Sequence, residues 1–311
     1  MWSGISSLDY ARRGLCRSCG SGKSKLKFSL LRGPVYQCGR CGLYYVDADN
    51  CTASDQGKLF YSTIDEGSYR THFEPFRSRQ YRYALEKLGP ANDRTLLDVG
   101  ASYGWMVQVG LSLGFDSFGL EPGEAGYDAS LEGRVFRASL EECWTQASRR
   151  YEVVTTWHVL EHLRDPVASI AQMKDLLTDQ GDLLIAVPNG DGRFFRLAML
   201  LNRLFGARRL LHEVFYVQNP NMHYFYWNEK SLRVILERLG FQVQSVETLE
   251  CFDWATLWRR GSSRLSRLLL RVASPFLKRS RITSAENLVL IARKKPLPAL
   301  SSGSSTQQTP C

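Results

Sequence analysis

Four of the eight cysteines have the spacing of a metal site. Cys16 and Cys19 form one C-x2-C pair, Cys38 and Cys41 form a second, and a glycine follows each pair. Each pair brings two thiolates within reach of one ion, and the glycine lets the backbone turn so that amide groups point at the sulfurs. The pattern predicts a closed, structural Zn2+ site with a hairpin between the pairs, as in a zinc ribbon. The alternative is four unrelated reduced thiols.

A second group of residues combines carboxylates with glycines at the ends of two hydrophobic segments. One buried strand is predicted to end in Asp98 and Gly100, and the next is predicted to end at Glu121. The turn after Gly100 lets backbone amides approach a ligand, and an acid about 20 residues later can accept hydrogen bonds from ribose hydroxyls. Ser102 stands where a dinucleotide-binding turn has its middle glycine, so a pyrophosphate would lose its closest approach to the backbone.

The elements that position these residues follow from the hydrophobic pattern. A helix is predicted over residues 105–113, a second over 167–177, and a turn over 178–181. Further segments have the length and composition of strands: residues 134–138, 151–156, 182–189, 241–249 and 287–293. The alternation of strands and helices indicates an α/β architecture.

The segment after the predicted fourth strand carries the most specific motif. It begins at Trp157 and reads W-H-V-L-E-H-L-R-D-P. Together with the D-x-G-x-x-x-G turn, it resembles the small-molecule branch of the class I S-adenosylmethionine-dependent methyltransferases. The resemblance implies a Rossmann-like sheet of seven strands in the order 3-2-1-4-5-7-6, with the last strand antiparallel. It also implies S-adenosylmethionine as cofactor, bound at Asp98, Gly100, Ala101, Ser102, Gly104, Glu121, Ser139, Leu140, Trp157 and His158.

Histidines are the candidate catalytic residues. His158 lies at the carboxyl end of a predicted strand, where α/β proteins bind ligands, whereas His162 is expected to cap or organise a loop together with Glu161. His223 lies in a segment similar to one in zinc-bearing sugar C-methyltransferases, although Met222 replaces the acid found there. We therefore expect His223, and after it His158, to act as general base or substrate ligand. The alternative is a histidine packed under aromatic side chains.

The chain divides into four predicted regions. They are a zinc ribbon (1–46), a helical linker or cap (47–90), a methyltransferase domain (91–295) with a substrate-cap insertion (190–230), and a disordered tail (296–311). A packing helix is predicted over residues 76–88, although its tyrosines and arginines could instead close over a ligand. Because too few residues follow for the extra C-terminal domain of the sugar C-methyltransferases, we expect O-methylation of a sugar or related metabolite.

Positive charge is concentrated in two windows of the chain. There are 40 Lys and Arg against 31 Asp and Glu, for a net charge of +9. Residues 193–212 hold five arginines, and residues 259–281 hold eight basic residues and no acid. These windows suggest a nucleotide- or lipid-linked acceptor, or peripheral contact with an anionic membrane through an amphipathic helix over 265–277. Solvated helix faces explain them equally well. Without a signal-peptide pattern, we expect a cytoplasmic protein, with the inner membrane surface as a peripheral location.

Two other functions fit parts of the sequence. Some ribosomal RNA methyltransferases join a zinc module to this fold, so an RNA methyltransferase is the second hypothesis, although no N-P-P-Y motif follows the fourth strand. An adaptor without turnover is the third, and the intact Asp98, Gly100, Gly104 and Glu121 pattern argues against it. The oligomeric state does not follow from the sequence.

Overall fold

The structure is a computed structural model. Several predictions concern residues outside those that it describes. They are the predictions for the second basic window, the helix over 265–277, the tail, and residues 47–65 of the linker. Among the described residues, no helix is both long and apolar enough to cross a membrane. The described residues are 14–30, 33–46, 66–124, 126–147, 149–206, 208, 211–212, 215, 223–250 and 285–295.

A small antiparallel sheet lies beside the cysteine pairs. Strands β1 (Ser24–Leu30) and β2 (Gly33–Cys38) form the hairpin expected between the pairs, and β3 (Tyr44–Val46) follows the second pair. The fourth strand of this sheet, β9 (Phe225–Tyr226), comes from the far end of the chain and pairs with β3. The cysteine region is therefore joined through backbone hydrogen bonds to the segment that contains His223.

The main sheet has seven strands, flanked by helices. Its order, β10-β11-β8-β7-β4-β5-β6, confirms the predicted order, with β11 antiparallel to both of its neighbours. The remaining contacts between β4, β5, β6, β7 and β8 are parallel. The strands are β4 (Thr95–Val99), β5 (Asp116–Leu120), β6 (Val135–Phe136), β7 (Tyr151–Trp157), β8 (Leu177–Pro188), β10 (Phe241–Leu249) and β11 (Asn287–Lys294).

The helices lie between these strands in the chain. Asp165 caps the helix that begins at Pro166, because its side chain accepts a hydrogen bond from the amide of Ala168. Proline is favoured at this first helical position. Asn228 caps the helix that begins at Glu229 in the same way, because its side chain accepts a hydrogen bond from the amide of Ser231. The helices are α1 (Glu66–Glu86), α2 (Trp105–Ser112), α3 (Leu140–Thr145), α4 (Pro166–Leu176), α5 (Arg193–Phe205) and α6 (Glu229–Arg238).

Two boundaries differ from the sequence expectation. Helix α1 begins ten residues before position 76 and contains Pro75, a residue that normally ends a helix. The turn predicted over residues 178–181 falls inside β8, where pairing with β7 moves from Tyr151–Leu177 directly to Val153–Asp182. The extra residues of β8 are thus absorbed as an irregularity in the strand, which a rule based on Gly and Asp cannot distinguish from a turn.

Parallel pairing of β4, β5 and β7 determines where the functional residues meet. The carboxyl ends of parallel neighbours lie at one edge of the sheet. Buried apolar side chains such as Leu97, Val154 and Ile185 hold the strands between the helices. The residues that follow these strands are therefore brought together on a rigid base.

Candidate cofactor and acceptor site

The loop after β4 has a backbone that favours glycine at two positions. Gly100 has φ of 80° and Gly104 has φ of 78°, both in the left-handed region. A Cβ atom on Gly100 would lie 2.3 Å from Cγ2 of Val159, and one on Gly104 would lie 2.4 Å from Cδ1 of Leu131. The loop is consequently restricted to glycine at both positions.

Glu121 holds this loop in place from the end of β5. One oxygen of its buried carboxylate accepts a hydrogen bond from the amide of Ser102 (2.8 Å), and the other accepts one from the amide of Gly123 (2.7 Å). Ser102 has φ of 49°, a strained value for a residue with a side chain. A carboxylate oxygen has two lone pairs, so each retains acceptor capacity for a ligand hydroxyl.

Asp98 lies at the end of β4 and is buried. Its carboxylate accepts a hydrogen bond of 2.6 Å from the hydroxyl of Thr155 on β7. Burial raises the pKa of Asp98 to about 7, and nearby Glu121 raises it further while the Thr155 hydrogen bond opposes the shift. A carboxyl group with this pKa is close to half-protonated at neutral pH, so it can donate as well as accept a hydrogen bond.

Ser139 and Leu140 lie just beyond β6, next to the end of β5. The amide of Glu121 donates to the carbonyl of Phe136, which ties the two strand ends together. The Ser139 side chain accepts from the amide of Glu142, whose carboxylate in turn accepts from Ser139, and this capping box starts α3. The Ser139 hydroxyl is therefore engaged in the cap, and the predicted contact with adenine remains a prediction.

Aromatic side chains from α1 and the strand ends pack around the same edge. Tyr81 of α1 makes an edge-on contact with Trp157, with ring centroids 4.9 Å apart. The guanidinium of Arg70 lies over the ring of Tyr103, which stacks on Trp105. Helix α1 thus contacts the β4 loop through Arg70 and the end of β7 through Tyr81, which fits a packing helix, and closure over a ligand stays a prediction.

Three histidines surround one buried carboxylate beyond the end of β7. Nδ1 of His158 lies 4.0 Å from Oε1 of Glu161, while Nε2 of His162 and Nε2 of His223 lie 3.8 Å and 4.0 Å from the same oxygen. His158 has φ of 57°, and its Nε2 is 2.8 Å from Oδ1 of Asn287. The structure therefore brings together the two predicted catalytic histidines, His158 and His223, although 65 positions separate them in the chain.

Burial shifts the pKa values of Glu161, His158 and His223 towards their neutral forms. Burial raises the pKa of Glu161 to about 8, with the charge of Arg77 opposing the shift. Burial lowers the pKa of His223 well below its usual range, and the neighbouring His162 and His158 lower it further. Burial and then the charge of Arg77 lower the pKa of His158 in the same direction. Neutral imidazoles can accept a proton or bind a metal.

Of the two expectations for His162 with Glu161, a cap or an organised loop, the structure contradicts a cap made by Glu161, and the loop role stays a prediction. The short 3-10 helix Leu160–His162 starts at Val159 without a side-chain cap, and Asp165 caps α4 instead. Glu161 is 0% exposed, and neither oxygen of its carboxylate has a hydrogen-bond partner. A glutamate directly after Val159 and Leu160 was the available signal, but its environment depends on His223, which lies far along the chain.

The four cysteines of the N-terminal region are close together and buried. Sγ of Cys16 is 3.6 Å from Sγ of Cys41, Sγ of Cys19 is 3.5 Å from Sγ of Cys38, and all four sulfurs lie within 4.8 Å of one another. Ligands at the usual Zn–S length would be about 3.8 Å apart in a tetrahedron. The backbone amide of Arg40 donates a hydrogen bond to Sγ of Cys38. The donor set thus fits a closed zinc site.

This cysteine module packs on α6 as well as on β9. The Ser18 hydroxyl donates a hydrogen bond of 2.6 Å to the carbonyl of Ser231, and Arg238 donates to the carbonyl of Ser18. A Cβ atom on Gly42 would lie 2.9 Å from the Asn228 side chain. The module therefore supports the start of α6 and the strand that follows His223.

Comparison with known proteins agrees with this geometry. A family model described as a methyltransferase domain matches residues 54–246. The ubiquinone biosynthesis O-methyltransferases of Salmonella paratyphi A and Escherichia coli O9:H4 are each 24% identical over 141 residues, 42% of this chain and 56% of theirs. A solved cyclopropane synthase of Mycobacterium tuberculosis shares the fold with a TM-score of 0.54 at 16% identity, covering 77% of this chain and 98% of its own.

The fold and the strand-end site are those of a methyltransferase domain. More particularly, the chain belongs to the family that the methyltransferase-domain model describes, since that model matches more than half of it. The chain spans a little over half the length of the curated relatives that it matches.

Proposed function

We propose that this protein transfers the methyl group of S-adenosylmethionine to an oxygen atom of a small-molecule or glycan-type acceptor, such as a sugar or related metabolite. The observation that carries the proposal is the placement of the Gly100–Gly104 loop and the Glu121 carboxylate at the same sheet edge as His158. In such a transfer, the acceptor oxygen bonds to the methyl carbon as the carbon–sulfur bond breaks, and the hydroxyl proton passes to a base. The enzyme has to align the two reactants and receive that proton.

The cofactor would be bound by the residues that the sequence motifs identify. Asp98 and the loop residues Gly100, Ala101, Ser102 and Gly104 are assigned to its methionine part, and Glu121 to the ribose hydroxyls. Ser139 and Leu140 are assigned to the adenine, and Trp157 with His158 to the end that carries the methyl group. The spare lone pairs of Glu121 support the ribose assignment.

His158 and His223 are the proposed acceptor-side residues. Nδ2 of Asn287 is directed at the carbonyl of Glu250, so its Oδ1 faces Nε2 of His158 and accepts a hydrogen bond there. In this tautomer, Nδ1 of His158 has a lone pair available for a proton. The lowered pKa of both histidines supports their entering the reaction unprotonated.

The nature of the acceptor is inferred from the names of the relatives and from the surface charge. The relatives at 24% identity are O-methyltransferases by name. Arg193 at the start of α5 is neutralised by Glu250 and Glu286, whereas Arg203 in the last turn is exposed. A nucleotide- or lipid-linked acceptor would use the exposed part of this basic window.

A peripheral membrane location is part of the same proposal. Helix α5 exposes apolar side chains at spacings of three and four residues, beside exposed Arg196. Such a helix suits the surface of an anionic membrane from the cytoplasmic side. Sedimentation with anionic vesicles at low salt tests this, and protein that stays in the supernatant would contradict it. The exposed apolar residues are Leu197, Leu200, Leu204 and Phe205.

For the N-terminal module, we infer a structural zinc ion held by Cys16, Cys19, Cys38 and Cys41. A closed set of four thiolates leaves no position for a substrate, so the ion would stabilise the fold. The contacts with α6 and β9 support a ribbon, residues 1–46, that keeps the acceptor side of residues 91–295 in place.

Incubation with S-adenosylmethionine labelled in its methyl group tests the proposed reaction. The acceptors are extracts separated into RNA, lipid-linked and soluble small-molecule fractions. We expect label in one of the last two, in a linkage that behaves as an O-methyl group on degradation. Label in RNA, with steeply salt-dependent binding, would instead support an RNA methyltransferase.

A further inference from the structure

Glu161 is an unusual residue for the interior of this domain. A carboxyl group without partners is costly to bury, and nearly all buried polar groups are paired. The Glu161 side chain is fully buried, yet neither of its oxygens has a hydrogen-bond partner. Three histidine nitrogens lie 3.8–4.0 Å from one of these oxygens, which is beyond hydrogen-bond distance.

The spacing of these groups is close to that of the ligands around a metal ion. One oxygen of Glu161, one ring nitrogen of His162 and one of His223 all lie within 4.8 Å of one another. Around an ion with bonds of 2.0–2.2 Å, tetrahedral ligands are about 3.4 Å apart. The two distances to the Glu161 oxygen would therefore have to shorten by only about half an ångström, a movement within the reach of side-chain rotation.

The backbone holds the ligands from two directions. The amide of Tyr224 donates to the carbonyl of Glu161 at 2.8 Å, which fixes the segment of His223 against the 3-10 helix of Glu161 and His162. The rings of His162 and His223 make an edge-on contact with centroids 4.6 Å apart. The pairing of β3 with β9 secures the other side of His223. A preformed ligand set of this kind needs little reorganisation to bind an ion.

We propose that Glu161, His162 and His223 form a second metal site, which binds a divalent first-row transition ion such as Zn2+. Two imidazoles and one carboxylate are a typical donor set for such ions, and three protein ligands leave a coordination position open. The proposal rests on this geometry and is independent of the acceptor assigned above. If the site is occupied, His223 holds the ion, and His158 is the histidine left to receive a proton.

The site is testable by metal content, with no need for a known acceptor. The full chain is stripped with a chelator under reducing conditions and reloaded with Co2+, and the bound metal per chain is measured together with the visible spectrum. Thiolate-bound cobalt gives strong charge-transfer bands, so the cysteine site and the proposed site are read separately. We expect the wild-type chain to bind one ion more than the thiolate bands account for.

Glu161→Gln keeps the shape of the side chain and removes the carboxylate that would bind the ion. We expect it to bind the additional ion at least about 100-fold more weakly, with unchanged thiolate bands, because loss of a ligand exceeds the 10–100-fold cost of losing an outer-shell partner. His162→Gln, at a less buried position, should act in the same direction and guards against a folding defect in the first variant. Glu229→Gln on the exposed face of α6 is the matched control and should bind like the wild type.

Either of two results would overturn the proposal. One is a wild-type chain that binds no ion beyond the thiolate site. The other is a folded Glu161→Gln chain, judged by binding of S-adenosylhomocysteine, that binds the additional ion with wild-type affinity. Neither result bears on O-methylation, which the labelled-methyl experiment tests separately.

Discussion

Replacement of Gly100 by alanine tests how the cofactor loop is built. The new Cβ would lie 2.3 Å from Cγ2 of Val159, whereas carbon atoms normally approach to about 3.5–4.0 Å. Overpacking of this kind costs about 1–3 kcal/mol. The left-handed backbone at φ of 80° adds about 1–2 kcal/mol for a residue with a side chain. We therefore expect Gly100→Ala to lower the free energy of unfolding by about 2–5 kcal/mol.

Two further variants separate these contributions. Gly133 has φ of 74°, and no atom lies within 4 Å of the point that an alanine Cβ would occupy there, so Gly133→Ala should show the backbone cost alone. Val159→Ala removes the methyl group that Gly100→Ala would meet. The double variant should recover the overpacking part, which corresponds to a coupling energy of about 1–3 kcal/mol between the two sites.

Urea unfolding of the wild type and these variants gives the required free energies, and calorimetric titration with S-adenosylhomocysteine gives the accompanying change in affinity. Gly100→Ala should weaken binding, and Gly133→Ala should not. Strictly additive effects of Gly100→Ala and Val159→Ala, or equal losses from Gly100→Ala and Gly133→Ala, would refute the proposed contact with Val159.

The buried carboxyl group and the cysteine site give two more predictions. Because the pKa of Asp98 is raised, the folded protein keeps a proton on this carboxyl group that the unfolded chain loses above pH 4. The stability that the bound proton contributes is complete below pH 4 and is lost as the pH rises through 7. Asp98→Asn should remove this pH dependence. In urea unfolding of the ligand-free proteins, the free energy of unfolding of the variant should therefore rise by roughly 2 kcal/mol relative to that of the wild type between pH 5 and pH 7. Parallel pH profiles of the two proteins would contradict the assignment. Cys38→Ser, or removal of metal by a chelator, should lower the thermal midpoint by several degrees and release zinc, whereas Cys143→Ser, outside the cluster, should do neither.

The sequence was most informative where one short segment determines both structure and chemistry. The ends of β4 and β5 place Asp98 and Glu121 because parallel neighbouring strands end at one edge, whatever the rest of the chain does. The same is true of the C-x2-C pairs, whose glycines have positive φ and close the turns locally. The order of the main sheet followed from resemblance to a family, since hydrophobic periodicity does not specify which strands are neighbours.

Features that depend on distant segments could not be predicted. The pairing of β3 with β9 joins residues about 180 positions apart, and neither strand is long enough to have a clear alternating pattern. Glu161 was expected to cap a helix or organise a loop with His162, and its burial beside His223 could not be foreseen because His223 comes from beyond α5. Pro75 would normally end a helix, yet α1 continues through it. Helix α1 packs against α2, and this contact favours the helical conformation.

Binding of S-adenosylhomocysteine by the wild type and by Glu121→Ala tests the central claim most directly. Hydrogen bonds to a charged group contribute about 1.5–3 kcal/mol each, and the ribose offers two. We predict one site per wild-type chain, binding at least about 100-fold weaker in Glu121→Ala, and unchanged binding in the control Glu124→Ala three positions along the chain. A folded wild-type protein that does not bind the ligand, or a Glu121→Ala protein that binds it as tightly as the wild type, would contradict the proposed cofactor site.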